Sequence, residues 1–546
     1  MSNKPLRIIP LGGLGEVGKN MMVYEYGENI LVVDSGLMFP DNDMLGIDYI
    51  IPDMQYLIDR RDKVRGIIIT HGHEDHTGAI HHLLEVVNAP VYATPLTRGL
   101  MEVKLARNGL SQKADMRTVH AGDHIEIGPF KVDFFHVCHS IPDGVGLGIE
   151  TPQGLIVHTG DYKFDHTPVD GWPTDYAMLA EFAKRGVLAL LSDSTNAERP
   201  GWTPSESVID VALDQVFSKA TGRIILASFA SLISRMQQVA GAALRHNRKL
   251  AFVGTSMVDN YKIATKLGYL DLPSDLIISL DEALGMKGRD VVLMCTGSQG
   301  EPTSILGRLS TGSHRQLDVK AGDTIILSAH PIPGNEEKVY GTINRLLERG
   351  ADVIYETVSP VHVSGHASQE EMKLLMHLTR PKFFIPIHGE LRMLKQHANL
   401  GRQVGIPDEN ISILMNGQAV EFQNGEMRLA ERVPNSNVFV DGSGVGDVGM
   451  DVMREREELS RDGMVLVNLT LDRVTGGLRT EPEVITKGFI MPRDAEDLLS
   501  GARRKISDAL LKANGNMQKD LQQAVSNYIY TETHRRPIVF VTISRT

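Results

Sequence analysis

The stretch 70-THGHEDHTGA-79 sets three histidines and two acids within six positions, directly after the apolar run 66-GIII-69. A short apolar run closed by such a cluster predicts a buried strand that ends in a tight turn. His71 and His73 alternate, and in extended backbone alternate residues aim the same way. Asp75 and His76 follow and can face a second point beside the first. Imidazole and carboxylate are donors that Zn²⁺ and Mn²⁺ accept. The pattern H-x-H-x-D-H therefore predicts a metal site rather than an inert polar loop.

The chain around this cluster has 546 residues, too many for one compact core, and two to four domains are expected. Hydrophobic residues make up 42% and charged residues 23%, the proportions of a globular protein. No run approaches the roughly 18 apolar residues of a membrane span, so no membrane association is expected. The opening MSNKPLRIIPLGG does not look like a signal peptide, and none is expected. Cys138 and Cys295 are the two cysteines, each in an apolar run, which disfavours a disulfide framework and points to a cytoplasmic setting. The net charge of −12 argues against a basic surface that coats nucleic acid, although it leaves room for an enzyme whose bound cations meet phosphates.

Along the chain, 22-MVYEY-26 and 30-ILVV-33 flank a Gly27 turn and predict a β-hairpin ending at Asp34. The preceding 12-GGLGEVG-18 contains a formal G-x-G-x-x-G, but a dinucleotide fold needs a helix there and the hairpin leaves none. From about 205 the pattern becomes β/α alternation: helix 206–219, strand 223–229, helix 234–247, strand 250–254, helix 259–267 and strands 290–297 and 323–329. Such crossovers predict a parallel sheet covered by helices. Past 350 short strands with terminal histidines return, at 353–356, 360–366 and 383–390. The expected divisions are 1–205, 206–355, 356–440, a glycine-rich linker at 441–455 containing 441-DGSGVGDVG-449, and a small α/β domain at 456–546.

The histidine cluster resembles the signature of the metallo-β-lactamase superfamily. That resemblance implies an α/β fold, an αββα sandwich with ligands on strand-end loops. It maps further positions onto Asp34 in 32-VVDSG-36, His139 in 138-CHSIPD-143, Asp161 in 158-HTGDYKFD-165 and His388 in 385-IPIHGE-390. It implies two divalent cations per subunit, Zn²⁺ or Mn²⁺ with Mg²⁺ as a further option. One is held by His71, His73, His139 and Asp161, the other by Asp75, His76, His388 and the shared Asp161. Asp34 is expected to orient ligands rather than bind metal. His73 stands where diiron flavoproteins of the superfamily carry Glu, which disfavours redox chemistry.

Within the superfamily, the insertion between Asp161 and His388 resembles the β-CASP nucleases. Their motifs fall on Asp193 in 192-SDSTN-196, His366 in 362-HVSGHAS-368 and His388. With 11-LGGLGEVGKN-20, 296-TGSQGEP-302, 331-PIPGNE-336 and 441-DGSGVGDVG-449, the likeness narrows to the bacterial ribonuclease J family and covers nearly the whole chain. It implies an inserted β-CASP α/β domain, a small C-terminal α/β domain, and a cytoplasmic enzyme of rRNA processing and mRNA decay. Such an enzyme degrades 5′-monophosphorylated RNA in the 5′→3′ direction, with endonuclease activity as well, by two-metal hydroxide attack on the phosphodiester. Asp75, Asp193 and His366 are the expected catalytic residues, His366 as proton donor or phosphate contact. Ser231, Ser364, Gly365, His366 and Ala367 are candidates for the 5′-phosphate. RNA is the expected partner, with a homo-oligomer (dimer or tetramer) and other RNA-decay proteins as further expectations. Two departures stand out: Leu232 where the family carries Asn, and Thr255 where it often carries Arg.

The other readings are a hydrolase of small thioesters or lactams, which the large insertion disfavours, and a catalytically inactive RNA-binding subunit, which the full ligand set disfavours. Ser231 could equally cap the helix beginning near 234. His362, His81, His82 and Cys138 are expected to be structural, and His158 to lie just behind the ligands.

Overall fold

The computed structural model describes residues 4–332, 334–491, 495–511 and 516–546, so Pro333 of the 331-PIPGNE-336 motif lies outside the described residues. The chain divides into two compact units, Met1–Phe39 with Ile50–Val438, and Pro40–Tyr49 with Phe439–Thr546. No helix among the described residues is long and apolar enough to cross a membrane.

The first unit is built on two facing sheets. Eight strands run in the order Glu426–Arg432, Gln418–Gln423, Leu6–Gly12, Met21–Tyr26, Asn29–Val33, Val64–Ile68, Val91–Ala93 and Met116–Thr118. Six run in the order Phe383–Ile387, Val187–Asp193, Gly154–His158, Val145–Thr151, Phe130–His136 and His124–Ile127. Ile8, Leu31 and Ile68 of the first sheet share one buried cluster with Phe134, Ile156 and Ile385 of the second. On the second sheet's outer face, Phe135, Val157, Leu190 and Phe384 pack on Leu179 and Phe182 of helix Tyr176–Arg185 and on Met372 of helix Gln369–Thr379. This is the αββα sandwich. Strands Gly154–His158, Val187–Asp193 and Phe383–Ile387 run parallel, so their C-terminal ends share one edge. Asn29–Val33 and Val64–Ile68 are also parallel, which brings Asp34 and the histidine turn together.

Residues 208–354 carry a five-stranded, all-parallel sheet ordered Lys249–Val253, Val291–Cys295, Ile224–Ala227, Thr324–Leu327 and Asp352–Ile354. Its strands are short apolar runs because helices bury both faces. Helices Val208–Lys219, Ile233–Arg245 and Thr255–Lys266 cover one, and Ile305–Thr311 and Glu336–Glu348 the other. The segment 360–366, expected as a strand, is irregular. Gly365 and His366 are instead fixed by side-chain and backbone hydrogen bonds to other loops.

In the second unit, strand Met464–Leu471 alternates buried and half-buried residues without a break. It lies between Glu483–Lys487 and Ile538–Arg545, with Val465, Val467 and Leu469 packed on Ile506, Leu521 and Val525 of helices Glu496–Leu510 and Met517–Thr533. Burial of each such side chain stabilises the fold by about 1.5–3 kcal/mol. Of the segment 441–455, Val440 and Asp441 pair with Val445 and Gly444, and helix Met450–Asp462 takes up its second half.

Candidate metal centre

Every candidate ligand sits at or just beyond the end of a strand. The turn from His71 to His76 follows Val64–Ile68, Asp161 follows Gly154–His158, Asp193 ends Val187–Asp193 and His388 follows Phe383–Ile387. His388 (φ 53°) and Asp34 (φ 66°) both adopt left-handed backbone, a conformation that costs a non-glycine residue of order 1 kcal/mol and collects at functional sites. Gly389 N donates to Gly13 O, so the glycine-rich segment braces the loop of His388 rather than cradling a dinucleotide.

Three groups of donors emerge, and two of them are the sets expected from the sequence. His71, His73, His139 and Asp161 offer one ligand atom each, all within 4.8 Å of one another, and Asp75, His76, Asp161 and His388 do the same. In the first group, the Nε2 atoms of His71 and His139 each lie 3.6 Å from Asp161 Oδ2. They lie 3.1 and 3.0 Å from His73 Nδ1. In the second, His76 Nε2 is 3.3 Å from Asp161 Oδ2, and His388 Nε2 is 3.3 Å from Asp75 Oδ2.

The hydrogen bonds behind these atoms fix what they offer. His139 Nδ1 donates to Gly365 O at 2.7 Å, leaving Nε2 as a bare lone pair. Thr70 Oγ1 donates to Asp34, so it accepts from His71 Nδ1 at 3.1 Å, and His71 Nε2 is bare as well. His76 Nδ1 donates to Asp34 Oδ2 at 2.8 Å. Asp34 thus orients two rings and belongs to no donor group.

Burial holds His71 and His139 well below the usual histidine pKa and His73 at about 4, so all three stay neutral, the form that binds metal. Burial opposes charge on His76 and His388 too, but the Asp161 carboxylate prevails, raising His76 and lifting His388 to about 10. Burial also opposes ionisation of Asp161, yet the facing histidines, His388 foremost, keep it well below the carboxylate range. Asp161 Oδ1 is buried without a hydrogen-bond partner. Neutral imidazoles converging beside Asp161 fit a divalent cation in the first group, and in the second the carboxylates of Asp75 and Asp161, which hold protons on His76 and His388, supply the negative charge that a cation would take up in the protons' place.

The third group, Asp161, Asp193, His366 and His388, lies on the same edge, again with one ligand atom each within 4.8 Å of one another. Asp193 Oδ2 lies 2.8 Å from His366 Nδ1, and Asp193 Oδ1 lies 3.2 Å from His388 Nδ1. Burial works against charge on both members, but each stabilises the other's ion, so Asp193 falls and His366 rises. Ser364 Oγ accepts from Asn196 Nδ2 (2.8 Å) and His366 N (3.3 Å), so its own proton is free to donate. Ala367 N–H is engaged by Tyr162 O. Ser231 does not cap helix Ile233–Arg245, whose N-cap is Leu232 with no side-chain bond. Leu232 is buried, and Thr255 is exposed on the first turn of its helix.

Sequence reasoning missed several supports. Asn196 Nδ2 and Thr203 Oγ1 both donate to His366 O, and Asn20 Nδ2 sits 3.2 Å from His76 Nε2. Fully buried Glu371 accepts from Phe164 N, Thr203 N and Ser368 N, joining three segments around the site. The S-x-x-E spacing of Ser368 and Glu371 was the available signal, since it marks a capping box. His362 Nδ1 is buried without a partner, His81 and His82 lie on helix Ile80–Val86, and His158 bonds Tyr24 OH, all apart from the donor groups. Buried Cys138 likewise belongs to no donor group.

Comparison with known proteins bears on this geometry. Residues 14–194 match the metallo-beta-lactamase superfamily and 221–346 the beta-CASP domain of ribonuclease J. Residues 350–413 match a Zn-dependent metallo-hydrolase RNA specificity domain and 451–546 the ribonuclease J C-terminal domain. The chain is 43% identical to ribonuclease J 1 of Streptococcus pyogenes serotype M3 over 97% of its length and 96% of the relative. It is 41% identical to ribonuclease J2 of Bacillus subtilis over 98% and 97%. A crystal structure of a protein of unknown function from Enterococcus faecalis V583 superposes with TM-score 0.54 at 15% identity, over 76% of this chain and all of the other, a likeness of fold alone.

Proposed function

The chain belongs to the ribonuclease J family, and from that premise we propose that it hydrolyses RNA phosphodiester bonds with two divalent cations, Zn²⁺ or Mn²⁺, working 5′→3′ from a 5′-monophosphate and also cutting internally. The observation that carries the reading is the pair of donor groups sharing Asp161, with the Asp193–His366 pair on the same edge.

Bound there, two cations lower the pKa of water and neutralise charge developing on phosphorus. His71, His73, His139 and Asp161 would hold one, and Asp75, His76, Asp161 and His388 the other. The protein's own contribution is orientation and proton transfer. Gly365 O and Asp34 fix the rings of His139 and His76. In hydrolysis water adds to phosphorus, the P–O3′ bond breaks, and the departing 3′ oxygen needs a proton. His366 is suited to give it, because Asp193 holds its Nδ1 side and raises its pKa, leaving Nε2 as the donor. The products are a nucleoside 5′-monophosphate and a strand with a new 5′-monophosphate. The free Ser364 proton, Gly365 and Ser231 are suited to the terminal phosphate. A cytoplasmic location and a homo-oligomer belong to the same reading.

End-labelled RNAs carrying 5′-monophosphate, 5′-triphosphate or 5′-hydroxyl, incubated with Mn²⁺, test it. Monophosphate-dependent release of mononucleotides is expected. Hydrolysis of small thioesters without RNA cleavage would overturn it.

A further inference from the structure

We propose that the exposed rings of Trp202, His166 and Trp172 form a platform on which unpaired bases of the RNA strand stack beside the metal centre. The inference rests on the ribonuclease reading above and extends it to a surface outside the ligand set.

The chain has two tryptophans, and both are exposed, Trp172 at 43% and Trp202 at 49%. Neither is loosely held. Phe164, buried in the core, stacks on Tyr176 with centroids 5.0 Å apart, and Tyr176 lies nearly parallel to His166 at 6.1 Å. His166 stands 6.1 Å from Trp202, so a row of rings leads from the interior to the surface. Trp172 lies flat on His136, with centroids 3.8 Å apart and an 8° angle, and remains exposed.

The two loops bearing these rings are tied together. Thr167 Oγ1 donates to Ser205 Oγ at 2.9 Å, and Glu206 N donates to Asp165 Oδ2 at 2.9 Å. They are also tied to the metal centre. Thr203, next to Trp202, donates through Oγ1 to His366 O at 2.7 Å. Cys138, next to His139, donates through Sγ to Trp172 O at 3.4 Å. The platform is therefore continuous with the loops that present the proposed proton donor and one ligand.

The chemistry selects bases over phosphates. Asp170 accepts the backbone N–H of Trp172, and its carboxylate repels an anion there. Ring faces, by contrast, take any base without regard to sequence. A strand whose phosphates run to the cations next door would lay its bases on these rings.

Because Trp172 and Trp202 are the chain's two tryptophans, intrinsic fluorescence reports the platform directly. The full-length His76→Ala variant is titrated with a 5′-monophosphorylated oligoadenylate and with an abasic strand of equal length, with binding followed in parallel by anisotropy of a 3′ label. Oligoadenylate should quench the emission saturably and the abasic strand should not. Trp202→Phe should preserve affinity, while Trp202→Ala should raise the oligoadenylate Kd about tenfold. Both variants should match the parent's thermal unfolding. Oligoadenylate binding without quenching, or equal quenching by the abasic strand, refutes the platform and leaves the ribonuclease reading standing. Absence of RNA binding, with no mononucleotide release by the wild type, defeats both.

Discussion

The carbonyl oxygen of Gly365 accepts a hydrogen bond from His139 Nδ1 at 2.7 Å, joining the loop that carries the proposed proton donor to a proposed metal ligand 226 positions earlier. A Cβ at Gly365 would lie 2.7 Å from both Cε1 and Nδ1 of that ring, and 2.9 Å from Ser140 N. Ring and loop would have to separate. Gly365→Ala is therefore expected to lower metal affinity and activity by about 10–100-fold, the usual cost of disturbing a group that orients a ligand. Zinc affinity by chelator competition, read beside RNA turnover, checks this.

His366 belongs to neither of the two donor groups assigned to the cations, but it bonds Asp193. His366→Ala should cut kcat by about 10²–10⁴-fold while both cations stay bound. Loss of a cation in this variant would give the residue a ligand's role instead. Asp193→Asn should lower kcat as well and move the alkaline limb of the pH–rate profile to lower pH, because the carboxylate raises the proton affinity of the donor His366.

His397 is fully buried beside Ser194 Oγ, and burial pulls its pKa down to about 3. An unfolded histidine titrates near 6.5. Below that pH the unfolded chain takes up a proton that the folded chain refuses. The group's contribution is thus complete above about pH 6.5 and lost as pH falls toward 3. At pH 5 the fold should have lost about 2 kcal/mol through this residue relative to pH 7.5. Urea unfolding of the wild type and His397→Gln at both pH values measures the difference, and parallel losses in the two proteins would contradict it.

Arg235, fully buried on helix Ile233–Arg245, pairs with Glu206 at 2.9 Å and also bonds Ser328 and Val361 O. Arg235→Met would leave Glu206 with Lys163 alone, 3.6 Å away. A loss of about 3 kcal/mol in unfolding free energy is expected, partly recovered in Arg235→Met/Glu206→Gln, where the stranded charge is gone. A single variant as stable as the wild type would sink this account of the pair.

The parts legible in the sequence were those written in local pattern. The H-x-H-x-D-H turn announced itself because a strand end followed by clustered imidazoles has few other uses, and the β/α alternation after 205 matched the five-stranded parallel sheet. Asp161, His139 and His388 were located only through family resemblance, since nothing in their spacing reveals that parallel strands bring their ends to one edge. Segment 360–366 defeated the strand reading because its backbone bonds go to distant loops. Glu371 and Thr203 escaped notice for the same reason. Their importance lies in contacts more than 150 residues away along the chain.

The central claim, two cations held by one shared aspartate, is tested most directly by elemental analysis of the full-length protein after equilibrium dialysis against Mn²⁺ or Zn²⁺. The wild type should carry two equivalents per chain, His76→Ala and His388→Ala one, and Asp161→Ala fewer than either. A wild type that binds a single equivalent, or one whose content is unchanged by these substitutions, would contradict the account.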